Sequence, residues 1–499
     1  MRFARLAGAL GLGALACAAV LFITRAPGPG LDPDSMSYAG AGELLARTGR
    51  LRIPDADWWS ADSTEALAQF PPGFSIVIAG TMHLFRPPVQ AARVVEAIAA
   101  LVLVVTVVLL LDQTAGPPAG PIAVLLLAAT PALFDNYIRV LSEPLFVACM
   151  ALALAAMVRR PDRPLLAGLA AAASELVRYA GVSVAIAAVL WAFGTTGTWR
   201  IRLERALEAA LPVVALRTWW AVRLHAVGVA APGVSHVQRG LAGAFRDGAI
   251  TVRDWLTPSV PGEWLRALLA LAIVSSGTWL LRRTWRRMPR DARATARRRL
   301  FNAAGLLALC YAIVLIFSRA FVGGGIPFDE RLLSPLFLLT TVVLAAALRI
   351  RWPAWSGAVR TSAALAVMAW TAGGIVLNAE QLGGLQEDGW GYSGTKWQPS
   401  REQEWLRTEG SHFAIFSNNP MLVYFLTGRP SRELPDTSDS GTLEDFAGTL
   451  EEQHGAVVAF DEDYRRMDPP AFLAAVLGLR EVTRLPHMTA WVQKERSTP

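Results

Sequence analysis

The sequence predicts a polytopic α-helical membrane protein with a small C-terminal extracytoplasmic α/β domain. Hydrophobic residues make up 53% of the 499 residues, charged residues make up 17%, and the mean hydropathy is +0.37. Apolar runs recur along the first 377 residues, and the chain becomes polar and acidic from Asn378 onward. Soluble globular and disordered proteins have a lower fraction of hydrophobic residues. Three cysteines are too few for a disulfide-rich protein.

Eleven apolar runs approach the ~20 residues needed to cross a hydrocarbon core of about 30 Å. We therefore expect about 11 transmembrane helices, and we interpret the first as a retained helix because no clean signal-peptidase site follows it. The predicted spans cover residues 6–24, 93–111, 119–135, 142–158, 164–177, 180–194, 207–222, 263–281, 300–317, 332–348 and 361–377. A shorter apolar run from Pro71 to Phe85 favours a re-entrant or interfacial helix on the outer face.

The arginines predict the orientation of these spans. Residues 282–299 contain nine arginines and one acid, whereas residues 25–92 contain seven acids against five arginines. Residues 378–499 contain 19 acids against 11 bases. Because basic loops stay in the cytoplasm, we expect a cytoplasmic N-terminus and an extracytoplasmic tail. The basic pI of 9.7 then reflects topology, and no nucleic-acid partner is expected.

The expected organisation has two domains in a bacterial inner (cell) membrane protein. Residues 1–377 form the transmembrane domain, which includes the outer loop 25–92, and residues 378–499 form the α/β domain. The tail alternates predicted strands with predicted helices at 420–427 and 443–453. A bacterial source is indicated because 45 of the 47 basic residues are arginine and alanine is abundant, as in GC-rich genomes.

Asp34 is the candidate catalytic residue, because it stands at the membrane edge directly after the first span. There a carboxylate can accept the proton of an acceptor hydroxyl. An aspartate before an amphipathic run also commonly caps the following helix. The two roles are compatible, and the sequence leaves both open.

Several ionisable residues occur where a membrane disfavours them, and such residues usually face a cavity, a partner or a water path. Arginines that converge on an outer cavity suit the phosphate of an anionic lipid. The candidate substrate-binding residues are Arg178, Arg331, Arg139, Glu143, Tyr179, Tyr38 and Asp32. Each residue, taken singly, can also be a side chain at a helix end that snorkels to the membrane surface or forms a salt bridge.

Five short motifs occur in an order that resembles one family of membrane enzymes. They are Asp34-Ser35-Met36-Ser37-Tyr38, Phe70-Pro71-Pro72-Gly73-Phe74, Ser142-Glu143-Pro144-Leu145-Phe146, Arg178-Tyr179-Ala180-Gly181 and Arg331-Leu332-Leu333-Ser334-Pro335. The chain thereby resembles the GT-C superfamily of glycosyltransferases, specifically bacterial relatives of the dolichyl-phosphate-mannose protein mannosyltransferase and aminoarabinose transferase group.

The resemblance implies a GT-C-type membrane domain that transfers a sugar from a polyprenyl-phosphate donor to an extracytoplasmic acceptor, normally with inversion. It assigns the general base to Asp34, and it implies that arginines neutralise the lipid phosphate as it leaves. Ser35 stands where many relatives have a second carboxylate, so we expect neither a metal nor another cofactor. The expected partners are the donor, the lipid bilayer and a glycan, lipid or protein acceptor.

Two other function classes fit a polytopic chain with buried charges. A transporter or flippase would show internal symmetry, but no repeat of the 25–92 loop is evident. A polyprenyl-linked glycan polymerase or ligase usually has its largest outer loop later in the chain. Both features favour the glycosyltransferase.

The orientation can be tested by cysteine labelling of intact cells. We expect a membrane-impermeant thiol reagent to label a cysteine placed at Ser63 or Ser438 and to miss one at Thr295, which lies in the arginine-rich loop. Labelling at Thr295 in intact cells would overturn the predicted orientation.

Overall fold

A computed structural model describes most of the chain. The described residues are 2–228, 241–258, 260–288, 292–321, 328–397, 400–435, 440–461 and 474–493. Residues 289–291 of the predicted arginine-rich loop, and the labelling position Ser438, lie outside this set.

The described residues are mainly helical. The α-helices, numbered in chain order, are α1 (Arg2–Ile23), α2 (Pro33–Thr48), α3 (Gly73–Thr81), α4 (Pro88–Thr114), α5 (Ala119–Ala128), α6 (Pro131–Ile138), α7 (Glu143–Arg159), α8 (Pro164–Val177), α9 (Val182–Phe193), α10 (Trp199–Ala226), α11 (Leu241–Leu256), α12 (Glu263–Arg286), α13 (Ala292–Phe321), α14 (Glu330–Arg351), α15 (Gly357–Asp388), α16 (Arg401–Arg407), α17 (Pro420–Thr427) and α18 (Ser440–Glu452). The strands are β1 (Arg52–Ile53), β2 (Asp55–Ala56), β3 (Glu65–Ala66), β4 (Ala414–Ser417), β5 (Ser431–Glu433), β6 (Gly455–Phe460), β7 (Arg480–Leu485) and β8 (Met488–Val492).

The chain divides into two compact units. The helical unit comprises Met1–Thr24, Ala68–Phe74 and Arg93–Gly383, and the sheet unit comprises Arg25–Leu67, Ser75–Ala92 and Gly384–Pro499. Most of the outer loop 25–92 groups with the C-terminal tail in the sheet unit, and such pairing between distant segments has no local signature in the sequence.

Each of the eleven predicted spans falls on a helix, or on the pair α5 and α6. Among the described residues, six helices are long and apolar enough to cross a membrane: α1, α4, α12, α13, α14 and α15. The pair α5 and α6, bent by 68°, brings the number to seven if it forms one span. The remaining predicted spans are short helices, or, as in α10, carry several arginines and glutamates. The protein is thus a multi-pass membrane protein, and the structure does not establish eleven full spans.

The predicted break near residue 178 is present in the helical unit. α8 ends at Val177, Arg178 has an extended backbone, and a short 3-10 turn at Tyr179–Gly181 leads into α9. A Cβ on Gly181 would lie 2.3 Å from the backbone nitrogen of Glu175. Glycine at position 181 therefore lets the chain fold back this closely.

The run that begins at Pro71 forms only the nine-residue helix α3. At a rise of 1.5 Å per residue, this helix is about 14 Å long and cannot span a bilayer. The prediction of a short, non-spanning helix is therefore confirmed. A Cβ on Gly73 would lie 2.5 Å from the carbonyl oxygen of Leu176, so this glycine allows the start of α3 to pack against the end of α8.

The sheet unit contains a six-stranded mixed sheet in the order β2-β5-β4-β6-β8-β7. The first four strands in this order run parallel, and β8 and β7 are antiparallel additions. Phe416, Phe446 and Val457 are fully buried in its core. The predicted helix at 420–427 is α17, and the predicted helix at 443–453 corresponds to α18, which starts three residues earlier.

Segments of the outer loop complete this sheet. The short strand β2 pairs with β5, with Asp55 opposite Ser431. The guanidinium of Arg432, a buried residue, donates hydrogen bonds to the carbonyl oxygens of Ser60 (3.1 Å) and Ala61 (2.9 Å). The sheet edge is therefore covered by a loop segment more than 370 residues away in the sequence.

Acidic side chains gather where β2 meets β5. Burial, reinforced by the neighbouring Glu433 carboxylate, raises the pKa of Asp55 from 3.8 to about 8. Burial also raises the pKa of Glu433, and Asp57 and Glu65 add further negative charge. Two adjacent carboxyl groups that share a proton avoid the repulsion that two carboxylates would have.

This acidic pair predicts a pH-dependent attachment of the outer loop. The pKa of Asp55 is higher in the folded than in the unfolded chain. Its contribution to the stability of the folded state is therefore fully present below about pH 4 and is lost as the pH rises through 8. We expect amide hydrogen exchange at 52–58 and 431–433 to accelerate between pH 6 and 9 beyond the intrinsic pH effect. Asp55→Asn should remove this excess acceleration.

Asp62→Asn is the matched control, because it removes the same charge from a side chain that is 73% exposed and pairs with Arg52. It should leave the pH dependence of exchange at these segments unchanged. An excess acceleration that persists in Asp55→Asn would contradict the assignment.

Candidate functional site

A buried ion cluster in the helical unit joins three of the predicted site residues. Glu143 Oε1 lies 2.6 Å from Arg178 Nη1 and 3.0 Å from Arg331 Nε. Arg178 Nη1 also donates a hydrogen bond to Ser142 Oγ at 3.1 Å. The Glu143 side chain is 2% exposed, whereas those of Arg178 and Arg331 are 18% and 23% exposed. The carboxylate is therefore enclosed, and the two guanidiniums reach toward the surface.

Each member of the cluster stands at a helix end set by its local sequence. Glu143 begins α7, where Pro144 fits the first turn because a helix needs no N–H donor there. Arg178 is the extended residue that ends α8. Arg331 lies in the first turn of α14, where the Asp329 side chain caps the helix by accepting from the Leu332 N–H at 3.0 Å. The Ser-Glu-Pro, Arg-Tyr-Ala-Gly and Arg-Leu-Leu-Ser-Pro motifs thus meet at one point.

Two further buried residues hold these helix ends in place. The Leu141 N–H donates to Glu96 Oε1 at 2.7 Å, two residues before Glu143. The Tyr311 hydroxyl donates to the Leu332 carbonyl oxygen at 2.8 Å, one residue after Arg331. Neither residue was among the sites predicted from the sequence. Glu96 did carry a signal, because it is the one acid within the apolar run 93–111.

The cluster carries a net charge of +1, because two guanidiniums share one carboxylate. Both arginines bind the same oxygen, and within the described residues Glu143 Oε2 is buried without a hydrogen-bond partner. Because this carboxylate orients both guanidiniums, their N–H donors are held in fixed directions. Fixed N–H donors of this kind suit a tetrahedral oxyanion. The arrangement can therefore bind a phosphate and stabilise charge that grows on it.

The other predicted residues of this unit lie outside the cluster. Arg139 forms an ion pair with Asp135 at 2.8 Å, one turn earlier in the chain. The Tyr179 hydroxyl donates to the Ala68 carbonyl oxygen at 2.8 Å and accepts from Trp220 Nε1 at 3.4 Å. Glu175 pairs with Arg217 of α10, a contact that the sequence analysis did not foresee.

The helical unit also contains an apolar groove of about 540 Å³. Its walls come from α11, α12, α13 and the start of α14, and we call it the α11–α14 groove. Phe328 and Leu333, which flank Arg331 in the sequence, both line it. The helical unit thus contains a cationic cluster and an apolar groove, which are the two features that a ligand with an anionic head and a hydrocarbon tail requires.

In the sheet unit, the aspartate that caps α2 is Asp32 and not Asp34. Asp32 Oδ1 accepts from the Ser35 N–H at 2.8 Å and from Ser35 Oγ at 2.8 Å, and the Asp32 N–H donates to Ser35 Oγ at 3.1 Å. The capping role considered for Asp34 is therefore wrong, because Pro33 takes the first helical position and places Asp34 one residue inside the helix.

The remaining motif residues of α2 are packed into the unit. Tyr38 is 2% exposed, and its carbonyl oxygen accepts a hydrogen bond from Ser75 Oγ at 3.1 Å. Asp34 is half-buried in the first turn of the helix. Ser35 is committed to the capping box, so it does not replace the second carboxylate of a metal-binding pair. In the part of the chain that the structure describes, no three His, Cys, Asp or Glu side chains are grouped to hold a metal ion.

Comparisons with known proteins identify a related family and related folds. The family model for dolichyl-phosphate-mannose-protein mannosyltransferases matches residues 69–221, a segment that includes Glu143, Arg178 and Tyr179. No curated protein has a significantly similar sequence.

Solved structures share the fold at low sequence identity. ArnT from Cupriavidus metallidurans, bound to undecaprenyl phosphate, has a TM-score of 0.61 at 14% identity, covering 99% of this chain and 99% of that chain. The apo form of ArnT has a TM-score of 0.60 at 14% identity, covering 97% and 98%. The archaeal oligosaccharyltransferase AglB from Archaeoglobus fulgidus, in complex with an inhibitory peptide and a dolichol-phosphate, has a TM-score of 0.55 at 12% identity, covering 99% and 75%. The chain therefore has the fold of ArnT and AglB over nearly its whole length, in agreement with the family resemblance predicted from the sequence.

Proposed function

We propose that the protein is a glycosyltransferase that moves a sugar from a polyprenyl-phosphate donor to an acceptor hydroxyl on the extracytoplasmic face, with inversion at the anomeric carbon. The observation that carries this proposal is the Glu143–Arg178–Arg331 cluster, and the α11–α14 groove of the same helical unit supports it. A polyprenyl phosphate has the two parts that these features suit, a phosphate and a long hydrocarbon chain. The fold shared with ArnT, which binds undecaprenyl phosphate, supports the same donor class.

In the proposed reaction, the acceptor hydroxyl oxygen attacks the anomeric carbon as the bond from that carbon to the phosphate oxygen breaks. The bonding electrons leave with the polyprenyl phosphate, which gains one negative charge. Arg178 and Arg331 stabilise this charge, and their contribution is larger in the transition state than in the ground state because the charge grows during the reaction. Glu143 acts as a positioning residue, since it holds both guanidiniums and is itself enclosed.

Asp34 is the proposed base, which takes the proton from the acceptor hydroxyl. It occupies the leading position of the motif shared with the family, and the neighbouring Asp32 is engaged in capping α2. The reaction as proposed uses no metal, because the position after Asp34 is a serine.

The orientation that this reaction requires follows from the charges. The acidic tail and outer loop, which form most of the sheet unit, would lie outside the cell, and the arginine-rich loop 282–299 would lie inside. The 11-span topology remains part of this proposal.

Replacing Arg178 or Arg331 by alanine should lower kcat/KM for the donor by about tenfold to a hundredfold, since a hydrogen bond to a charged group contributes roughly 1.5–3 kcal/mol. Lysine should restore only part of the loss, because its point charge cannot form a bidentate fork. The fold should survive either change, since Glu143 keeps one arginine partner.

The measurement is transfer by the purified protein in detergent, screened over polyprenyl-phosphate sugars. Arg266→Ala is the matched control, because Arg266 is also ion-paired, at 2.8 Å to Asp254, but lies outside the cluster. It should leave kcat/KM within about twofold of the wild-type value. If both cluster variants use the donor normally, the phosphate binds elsewhere.

Substitutions at two neighbouring aspartates separate catalysis from capping. Asp34→Asn should lower turnover on the order of 10²- to 10⁴-fold, because the amide cannot accept the proton. Asp32→Asn should be nearly silent, since asparagine caps a helix as well as aspartate does, while Asp32→Ala should cost about 1 kcal/mol of stability. Turnover and thermal unfolding of the same preparations give both readouts. A folded Asp34→Asn protein with near-normal transfer would end the claim that Asp34 is the base.

A further inference from the structure

A second apolar groove lies at the other end of the helix that carries Arg331. We call it the α14–α15 groove; it has a volume of about 700 Å³ and is walled by α5, the end of α14 and the start of α15. Arg349 lies 18 residues after Arg331, which is about 27 Å along α14 at 1.5 Å per residue. The groove is therefore close to the opposite membrane face from the Glu143 cluster.

The lining of this groove is apolar except at its rim. Ile122, Leu348 and Val367 are among the aliphatic side chains of its wall, and Arg349 and Arg360 are its two charged residues. The rim also contains Trp352, whose ring centroid lies 6.1 Å from that of Trp355 in the turn between the helices. Tryptophans concentrate where a membrane meets water. These features place the guanidiniums at headgroup depth and the aliphatic wall at acyl-chain depth.

The two rim arginines are held toward the groove by backbone contacts. Arg349 Nε donates to the Pro117 carbonyl oxygen at 2.6 Å, and Arg360 Nε donates to the Trp355 carbonyl oxygen at 2.9 Å. Arg360 Nη2 donates to the Pro353 carbonyl oxygen at 3.2 Å. Neither arginine has an acidic partner among the residues described, so two full positive charges remain at the rim. In this respect they differ from Arg331, which pairs with Glu143.

The outward side of the groove is open to the surroundings of the helices. Only 17% of the most apolar window of α15 is buried within the structure, compared with 61% for α14. In a membrane, the exposed surface of α15 is covered by lipid. The occupant of the groove is therefore drawn from the bilayer.

We propose that the α14–α15 groove binds one anionic phospholipid, with its phosphate between Arg349 and Arg360 and an acyl chain along Ile122, Leu348 and Val367. The charge of the rim selects the headgroup, because a zwitterionic lipid cannot offset two arginines that lack acidic partners. The arginine-rich loops predict that this end is cytoplasmic, and anionic lipids attract basic residues at that surface. This site is independent of the proposed sugar transfer, since it lies about 27 Å along α14 from Arg331.

The test is a competition between palmitoyl-oleoyl phosphatidylglycerol and palmitoyl-oleoyl phosphatidylcholine for the full-length purified protein, followed by native mass spectrometry. The wild-type protein should bind phosphatidylglycerol more tightly. Arg349→Gln with Arg360→Gln should weaken its binding on the order of 30-fold, because each basic residue near an anionic lipid contributes a factor of about five. Arg159→Gln with Arg160→Gln is the control; it removes the same charge from two exposed residues at the end of α7.

A second variant tests the apolar wall without a change in charge. Ala364 is half-buried and lines the groove, so Ala364→Trp should fill it and reduce retention of both lipids. Ala364→Trp keeps Arg360 in place, so its result does not depend on whether the loss of Arg360 disturbs the turn between the helices. Equal binding of the two lipids to the wild-type protein would overturn the proposal. So would an unchanged preference for phosphatidylglycerol in the arginine double variant, or unchanged lipid retention in Ala364→Trp.

Discussion

The enclosed carboxylate of Glu143 is the constraint on which the helical unit depends. A buried carboxylate costs several kcal/mol unless cationic partners compensate it. Arg178 and Arg331 supply that compensation from two distant parts of the chain. One ion cluster therefore fixes the start of α7, the break after α8 and the start of α14 relative to one another.

The break after α8 shows how this cluster shapes the backbone. Irregular backbone at membrane depth is tolerated only where the protein satisfies its polar groups. Here the Arg178 N–H donates to the Ser174 carbonyl oxygen at 3.0 Å, and the Gly181 N–H donates to the Arg178 carbonyl oxygen at 2.8 Å. Gly181 and Gly73 permit the close backbone contacts on either side of this break. The motif glycines and the motif arginine thus serve the same local geometry.

The sequence predicted the features that are encoded locally and missed those that depend on distant pairing. Apolar runs predicted the positions of the helices, because hydropathy is a property of a short segment. The two-residue strand β2 has no such signal, and it joins the sheet only through β5 and Arg432. Pro33 at the first helical position makes Asp32 the cap of α2, so the capping role that the sequence left open for Asp34 belongs to the residue two positions earlier. The sequence predicted that arginines converge on one outer cavity, but the direct contact of Arg178 and Arg331 with Glu143 emerged only from the packing of α7, α8 and α14.

The two ends of α14 carry arginines in different electrostatic settings, and this difference implies different ligands. At Arg331, a buried carboxylate cancels part of the charge and fixes the donor directions, which favours one oxyanion in a defined orientation. At Arg349, the guanidinium has only a backbone carbonyl as partner among the described residues, and its charge is uncompensated. Such a charge attracts any anionic headgroup and is tolerant of its orientation. A reacting phosphate requires the first setting because its bonds must be aligned for displacement, whereas a structural lipid requires only the second.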